Sequence, residues 1–98
     1  MINSSQNNTG FHSEVIRFIG KKWVVPIFLE LEKNKEVRFV DLKRLGVTSK
    51  ILTEILEEMK NMRFIKKNIK NSFPPSTIYT LSNRGKDLLE FIKKFDNF

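Results

Sequence analysis

No cysteine occurs in the 98 residues of this chain. That absence excludes a disulfide scaffold, a cysteine-ligated zinc site and a thiol redox switch together. Alanine is missing as well, glycine and proline number only 4 and 3, and His12 is the single histidine. Base catalysis needs a nucleophile and an orienting partner around the base. His12 instead stands beside a polar N-terminal stretch, and the carboxylates Glu54, Glu57 and Glu58 share a helical segment with lysines rather than a pocket. Glycine-rich phosphate loops and metal-ligand spacings are also absent. The expectation is a protein that is not an enzyme and takes no cofactor or metal. The longest apolar run, Trp23 to Leu29, falls far short of a bilayer span. The opening residues MINSSQNNTG lack the charged-then-apolar pattern of a secretory signal. An intracellular, cytoplasmic protein without membrane attachment is expected.

What the chain does contain is positive charge. Lysine and arginine number 18 against 11 acidic residues, for a formal net charge of +7. Such an excess favours phosphate polymers or anionic surfaces. The abundance of Asn, Lys, Ile and Phe also reflects a bias towards AT-rich codons, so placement of charge matters more than its sum. The hydrophobic fraction of 40% and charged fraction of 30% describe a globular chain. Its length suits one domain: a flexible arm over residues 1–10, then a folded unit over 11–98.

Phe11, Val15, Phe18 and Ile19 recur at helical spacing and stop at Gly20. Trp23 to Leu31 reads as a second helix, with Pro26 tolerated because it lies near the first turn. Glu36 to Phe39 reads as a short strand. Asp41 to Leu45 reads as a short helix with Val40 and Leu42 facing inward, ended by Gly46. Thr48 or Ser49 can cap the next helix, which carries Ile51, Leu52, Ile55, Leu56, Met59 and Met62 at spacings of three and four. From Phe64 the period changes to two. A loop at Asn71 to Ser76 then precedes an alternating strand at Thr77 to Leu81, and Ser82 caps a last helix. This order, helix-helix-strand-helix-helix-strand-wing-strand-helix, is an α+β, mainly helical, winged helix-turn-helix.

A helix entering the major groove needs small polar and basic residues in its first turn. Thr48, Ser49 and Lys50 supply them, with Thr53 one turn on. The plain alternative is that Thr48 and Ser49 only cap a helix, and Glu54, Glu57 and Glu58 weigh on that side. The wing is richer in charge: Lys60, Arg63, Lys66, Lys67 and Lys70 stand with no acidic residue from Lys60 to Tyr79. Such a hairpin can follow phosphates or reach the minor groove, or can simply guard a sheet edge. Lys21, Lys22, Arg38, Lys43 and Arg44 are further candidates for phosphate contact. At the chain ends, Phe11, Val15 and Phe18, with Leu88, Leu89, Phe91, Ile92 and Phe95, form wider apolar stripes than one small core needs. They point to a homodimer interface.

These stretches resemble the HxlR-type family of regulators, relatives of the MarR-like winged helices. The resemblance rests on Ile19-Gly20-Lys21-Lys22-Trp23, Val37 to Leu45, Val47 to Glu54, Pro74-Pro75, Ile78 to Ser82 and Gly85. It implies a dimeric DNA-binding repressor or activator whose terminal helices pair the subunits. Asp41–Leu45 would be the supporting helix and residues 48–62 the reading helix, with the wing over 66–77. Lys50 and Thr53 would touch bases or phosphates, and Lys22 and Arg38 the backbone. Three departures stand out. The family's cysteine near the first helix is missing, which removes thiol sensing. Glu54 and Glu57 replace positions often Gln and Arg. The usual Asp-Gly turn after the reading helix is Met62-Arg63, so Arg63 must adopt a strained backbone or the helix must end differently.

The expected partners are double-stranded DNA and a second copy of the chain; no residue pattern names a small-molecule effector. Two other readings follow from the same residues. One is a winged-helix protein-interaction module that has lost DNA binding and turns Glu54 and Glu57 towards a basic partner. A weaker one is an anionic membrane or RNA bound by the basic hairpin.

Overall fold

The computed structural model describes residues 14–96. Phe11, His12 and the arm expected over residues 1–10 lie outside that range. Residues 14–19 are helical (α1), and the Gly20 N–H closes the turn on the Ile16 carbonyl at 3.0 Å. There follow α2 (Val24–Lys33), β1 (Val37–Arg38), α3 (Phe39–Lys43), α4 (Ser49–Asn61), β2 (Ile65–Lys70), β3 (Ser76–Leu81) and α5 (Asn83–Asp96). The three strands form one antiparallel sheet in the order β1-β3-β2. This is the winged helix-turn-helix architecture read from the sequence.

Pro26 falls in the first turn of α2, where its missing N–H breaks no intrahelical bond. The helix buries Val24, Ile27, Phe28 and Leu31, one face at spacings of three and four. Phe64, at the start of the wing, joins the layers. Its ring stacks on Phe18 with centroids 6.2 Å apart and meets Phe28 edge-on at 5.9 Å. Leu42, Leu52, Met59 and Leu89 complete the centre of the core.

The sequence expectation for α3 needs correction. The helix begins at Phe39, two residues earlier than expected, which shortens β1. Leu42 is buried, but Val40 is 48% exposed. Residues two apart on a helix point roughly 200° apart, so Val40 and Leu42 cannot both face the core. Phe39 and Leu42, three apart, do so instead.

The end of α4 is fastened to the start of α5. The Arg63 N–H donates to the Lys60 carbonyl at 3.0 Å, and the Phe64 N–H to the Met59 carbonyl at 2.8 Å. These two bonds are a Schellman closure, with Arg63 in the left-handed position at φ 64°. The helix therefore ends as a glycine-terminated helix does, but with an arginine. Across the junction, Arg84 Nε donates to the Met62 carbonyl at 2.9 Å and the Ser82 hydroxyl to the Arg63 carbonyl at 2.6 Å. The Ser82 N–H donates to the Phe64 carbonyl at 3.0 Å. Ser82 Oγ also accepts from the Gly85 N–H at 3.0 Å and caps α5 as expected. Gly85 is needed there because a Cβ would collide with the Phe64 carbonyl oxygen.

Candidate nucleic-acid interface

The turn between α3 and α4 sets the geometry of the helix-turn-helix. Gly46 adopts φ +103°, a conformation that strains side-chain-bearing residues, and Val47 is buried behind it. Thr48 then caps α4, its hydroxyl accepting from the Ile51 N–H at 3.3 Å. Leu52, Ile55, Leu56 and Met59 turn inward, which leaves Ser49, Lys50, Thr53, Glu54 and Glu57 on the exposed face. Thr48 is thus the cap, and Ser49 and Lys50 open the helix.

The other proposed phosphate contacts surround this helix unequally. Lys21 forms an ion pair with Glu58 of α4 at 2.6 Å. That pair brings the turn carrying exposed Lys22 against α4 and compensates one of the three carboxylates. The Lys22 ammonium sits 5.1 Å from the centroid of the Trp23 ring. Arg38 lies in β1 opposite Ile78. Its Nε is 3.8 Å from Asp41, and Arg44 approaches the same carboxylate at 3.5 Å. Lys43 is half-buried at the end of α3.

In the wing, Lys66 pairs with Thr80, Lys67 with Tyr79 and Lys70 with Ser76 across the ladder. Lys66 and Lys67 are exposed, whereas Lys70 Nζ is engaged by Glu36 at 3.1 Å. An exposed pair of this kind is worth about 1 kcal/mol at most, so Lys70 can exchange Glu36 for another anion at small cost. Tyr79 holds its proton above the ordinary tyrosine range because it is buried and because Glu57 adds negative charge nearby. A reading of charge alone passes over two apolar side chains of the wing, Ile69 and Phe73, which are 71% and 101% exposed. The signal in the sequence is a lone aromatic residue in the loop Asn71 to Ser76.

The terminal stripes divide. Phe18 and Leu89 are each 1% exposed within the single chain, so they have no surface left for a second copy; their assignment to a dimer interface is corrected. They fill the core between α1, α2 and α5. Leu88 and Ile92 are half-buried and Val15 likewise, with Val15 and Leu88 lining one open groove. Phe91 and Phe95 are 55% and 62% exposed and pack edge-on against each other at 4.9 Å. Ile16, absent from the stripe read in the sequence, is 63% exposed on α1. Among the described residues no helix is long and apolar enough to cross a membrane, and no group of His, Cys, Asp or Glu could hold a metal ion.

A capped helix behind a glycine turn, followed by a basic hairpin, defines a winged helix-turn-helix protein. Residues 18–98 match the HxlR-like helix-turn-helix family, and the chain belongs to it. The HTH-type transcriptional regulator YtcD of Bacillus subtilis strain 168 is 36% identical over 75 residues, which cover 74% of this chain and 59% of that protein. The chain therefore spans less than two thirds of that relative's length. YdzF from the same organism, also named an HTH-type transcriptional regulator, is 33% identical over 79 residues, 79% of this chain and 72% of the relative. A solved structure assigned to the MarR family of transcriptional regulators, from Enterococcus faecalis V583, superposes with a TM-score of 0.80 at 25% identity. It covers 91% of this chain and 82% of that one. These relatives are named as regulators, not as enzymes.

Proposed function

We propose that this protein is a cytoplasmic transcription regulator that binds double-stranded DNA as a homodimer. The observation that carries the reading is the pairing of two features on one chain. One is the exposed N-terminal face of α4, Ser49, Lys50 and Thr53, behind the Thr48 cap. The other is a wing whose Lys66 and Lys67 are free of intramolecular ion pairs among the described residues. In this reading Lys50 and Thr53 meet base edges in the major groove while the helix N-terminus faces phosphate. Lys22, Arg38, Lys43, Arg44 and the wing lysines then hold the backbone and fix register. Val15, Ile16, Phe91 and Phe95, flanked by Leu88 and Ile92, pair the subunits. Twofold pairing would present two reading helices to one operator. The names of the relatives favour this reading over the protein-interaction alternative.

The experiment is a fluorescence-anisotropy titration of the Lys66→Glu/Lys67→Glu variant beside the unaltered protein. The expected outcome is weaker binding to every duplex and a shallower dependence on salt, because fewer counterions are released. Unchanged affinity and unchanged slope would remove the wing from the interface.

A further inference from the structure

Phe73 is wholly exposed and is not part of the core cluster. The exposed pair Phe91 and Phe95 at least cover one another, whereas Phe73 stands alone at the tip of the wing. β1 pairs with β3 only at Ile78 and Tyr79, so the outer rungs Ile69–Thr77 and Lys70–Ser76 have β2 and β3 alone. The tip is nevertheless closed: the Ser72 N–H donates to the Lys70 carbonyl at 2.9 Å and the Ser72 hydroxyl to the Pro74 carbonyl at 3.0 Å. Pro74 and Pro75 restrict the backbone that follows. The backbone that carries the ring is thus restricted, so that seating it on a partner costs mainly the rotamer freedom of the ring itself.

We propose that Phe73 is an apolar wedge which enters the minor groove, partly unstacks one base step and bends the duplex. The inference rests on the DNA-binding reading above and adds to it a residue and a mode of contact. Charge selects the occupant. The strand that leads to the tip carries Lys66, Lys67 and Lys70, and the hairpin holds no acidic residue. Lys70 shares its charge with Glu36, while Lys66 and Lys67 have no ion pair among the described residues, so the hairpin is drawn to phosphate rather than to the surface of a basic protein. Phenylalanine and isoleucine are among the side chains that open base steps from the minor groove, and Ile69, also exposed, lies a few residues from the tip. Lysines on phosphates are indifferent to sequence. A wedge is not, because pyrimidine–purine steps such as TA unstack most cheaply. Phe73 would therefore add a preference for deformable steps beside the bases read by α4.

The test uses the full chain and AT-rich duplexes with TA steps carrying 2-aminopurine distributed through both halves, labelled at both ends for energy transfer. The unaltered protein should raise the 2-aminopurine fluorescence and shorten the end-to-end distance. Phe73→Ala should lower affinity by about tenfold, the scale of losing one stacking aromatic, and abolish both optical changes. Its salt dependence should match the unaltered protein's, which separates the wedge from the lysines. Phe73→Leu should restore much of the binding and bending. Because the side chain is fully exposed, the thermal stability of both variants should be unchanged. If Phe73→Ala binds and bends DNA like the unaltered protein, the wedge is wrong while the DNA-binding reading survives. If the unaltered protein binds no duplex at low salt, both are wrong.

Discussion

Arg63 holds a left-handed backbone conformation, φ 64°, that costs a side-chain-bearing residue about 1–2 kcal/mol. The Schellman bonds from Arg63 and Phe64, together with the grip of Ser82 and Arg84 on the carbonyls of residues 62–63, offset that cost. Arg63→Gly should therefore stabilise the fold by about 1 kcal/mol, seen as a higher urea midpoint; a lower midpoint would mean that the Arg63 side chain contributes more than its backbone costs. At this scale much was legible from sequence. Gly46, Thr48 and Ser82 were readable because turns and caps depend on a few adjacent residues. At Arg63 the resemblance leaves two outcomes, a strained backbone or a different helix end, and the left-handed φ of 64° is the first of them. Val40 was misread because its orientation depends on where α3 starts, and the residues themselves permitted more than one starting point. Phe73 stands out in sequence as a lone aromatic in the loop, but a loop has no periodicity to say whether that ring is buried or exposed.

At the scale of elements, α5 does two jobs on different faces. Leu89 closes the core, while Phe91 and Phe95 remain exposed four residues apart. An apolar stripe does not say whether it will meet its own chain or another, and for that reason the sequence grouped core and surface residues together. Phe91→Asp/Phe95→Asp should leave the chain folded, since neither residue is in the core cluster. It should convert a dimer to a monomer in analytical ultracentrifugation and weaken DNA binding in parallel. A variant that still sediments as a dimer would take Phe91 and Phe95 out of the interface. α4 is also less acidic in effect than its composition suggests, because Glu58 is held by Lys21. Glu54 and Glu57 remain on the exposed face of α4.

For the whole molecule, the packing of α4 is legible because its apolar residues recur at three and four, whereas the wing does not keep the expected alternation: only Ile65 of β2 is buried, and the buried pair of β3, Ile78 and Tyr79, is adjacent. Long-range pairs such as Lys21–Glu58, Lys70–Glu36 and Lys93–Glu32 are not legible, since they join residues far apart in sequence with no local pattern. Two of the molecule's groups link stability to alkaline pH. Tyr79 titrates above its ordinary 10.0 through burial and then the charge of Glu57. Lys93 titrates above 10.5, chiefly through its hydrogen bond to Glu32. Both bind protons more tightly folded than unfolded. Their contribution is complete below the unfolded values and is lost as pH rises through the folded ones. The urea midpoint should hold steady near about pH 8 and fall above roughly pH 10, with Tyr79→Phe flattening part of the fall. An equally steep fall in that variant would assign the loss to other groups.

Binding of duplex DNA by a pair of these basic chains can be measured directly. The direct measurement is a fluorescence-anisotropy titration of the unaltered protein with AT-rich and random-sequence duplexes at two salt concentrations, with stoichiometry fixed by the saturation point. Tight binding that weakens steeply with salt and saturates at two chains per duplex site is the predicted result. A folded dimer that binds neither duplex at low salt would contradict it, and would turn attention to Glu54 and Glu57 as the contact surface for a basic protein partner.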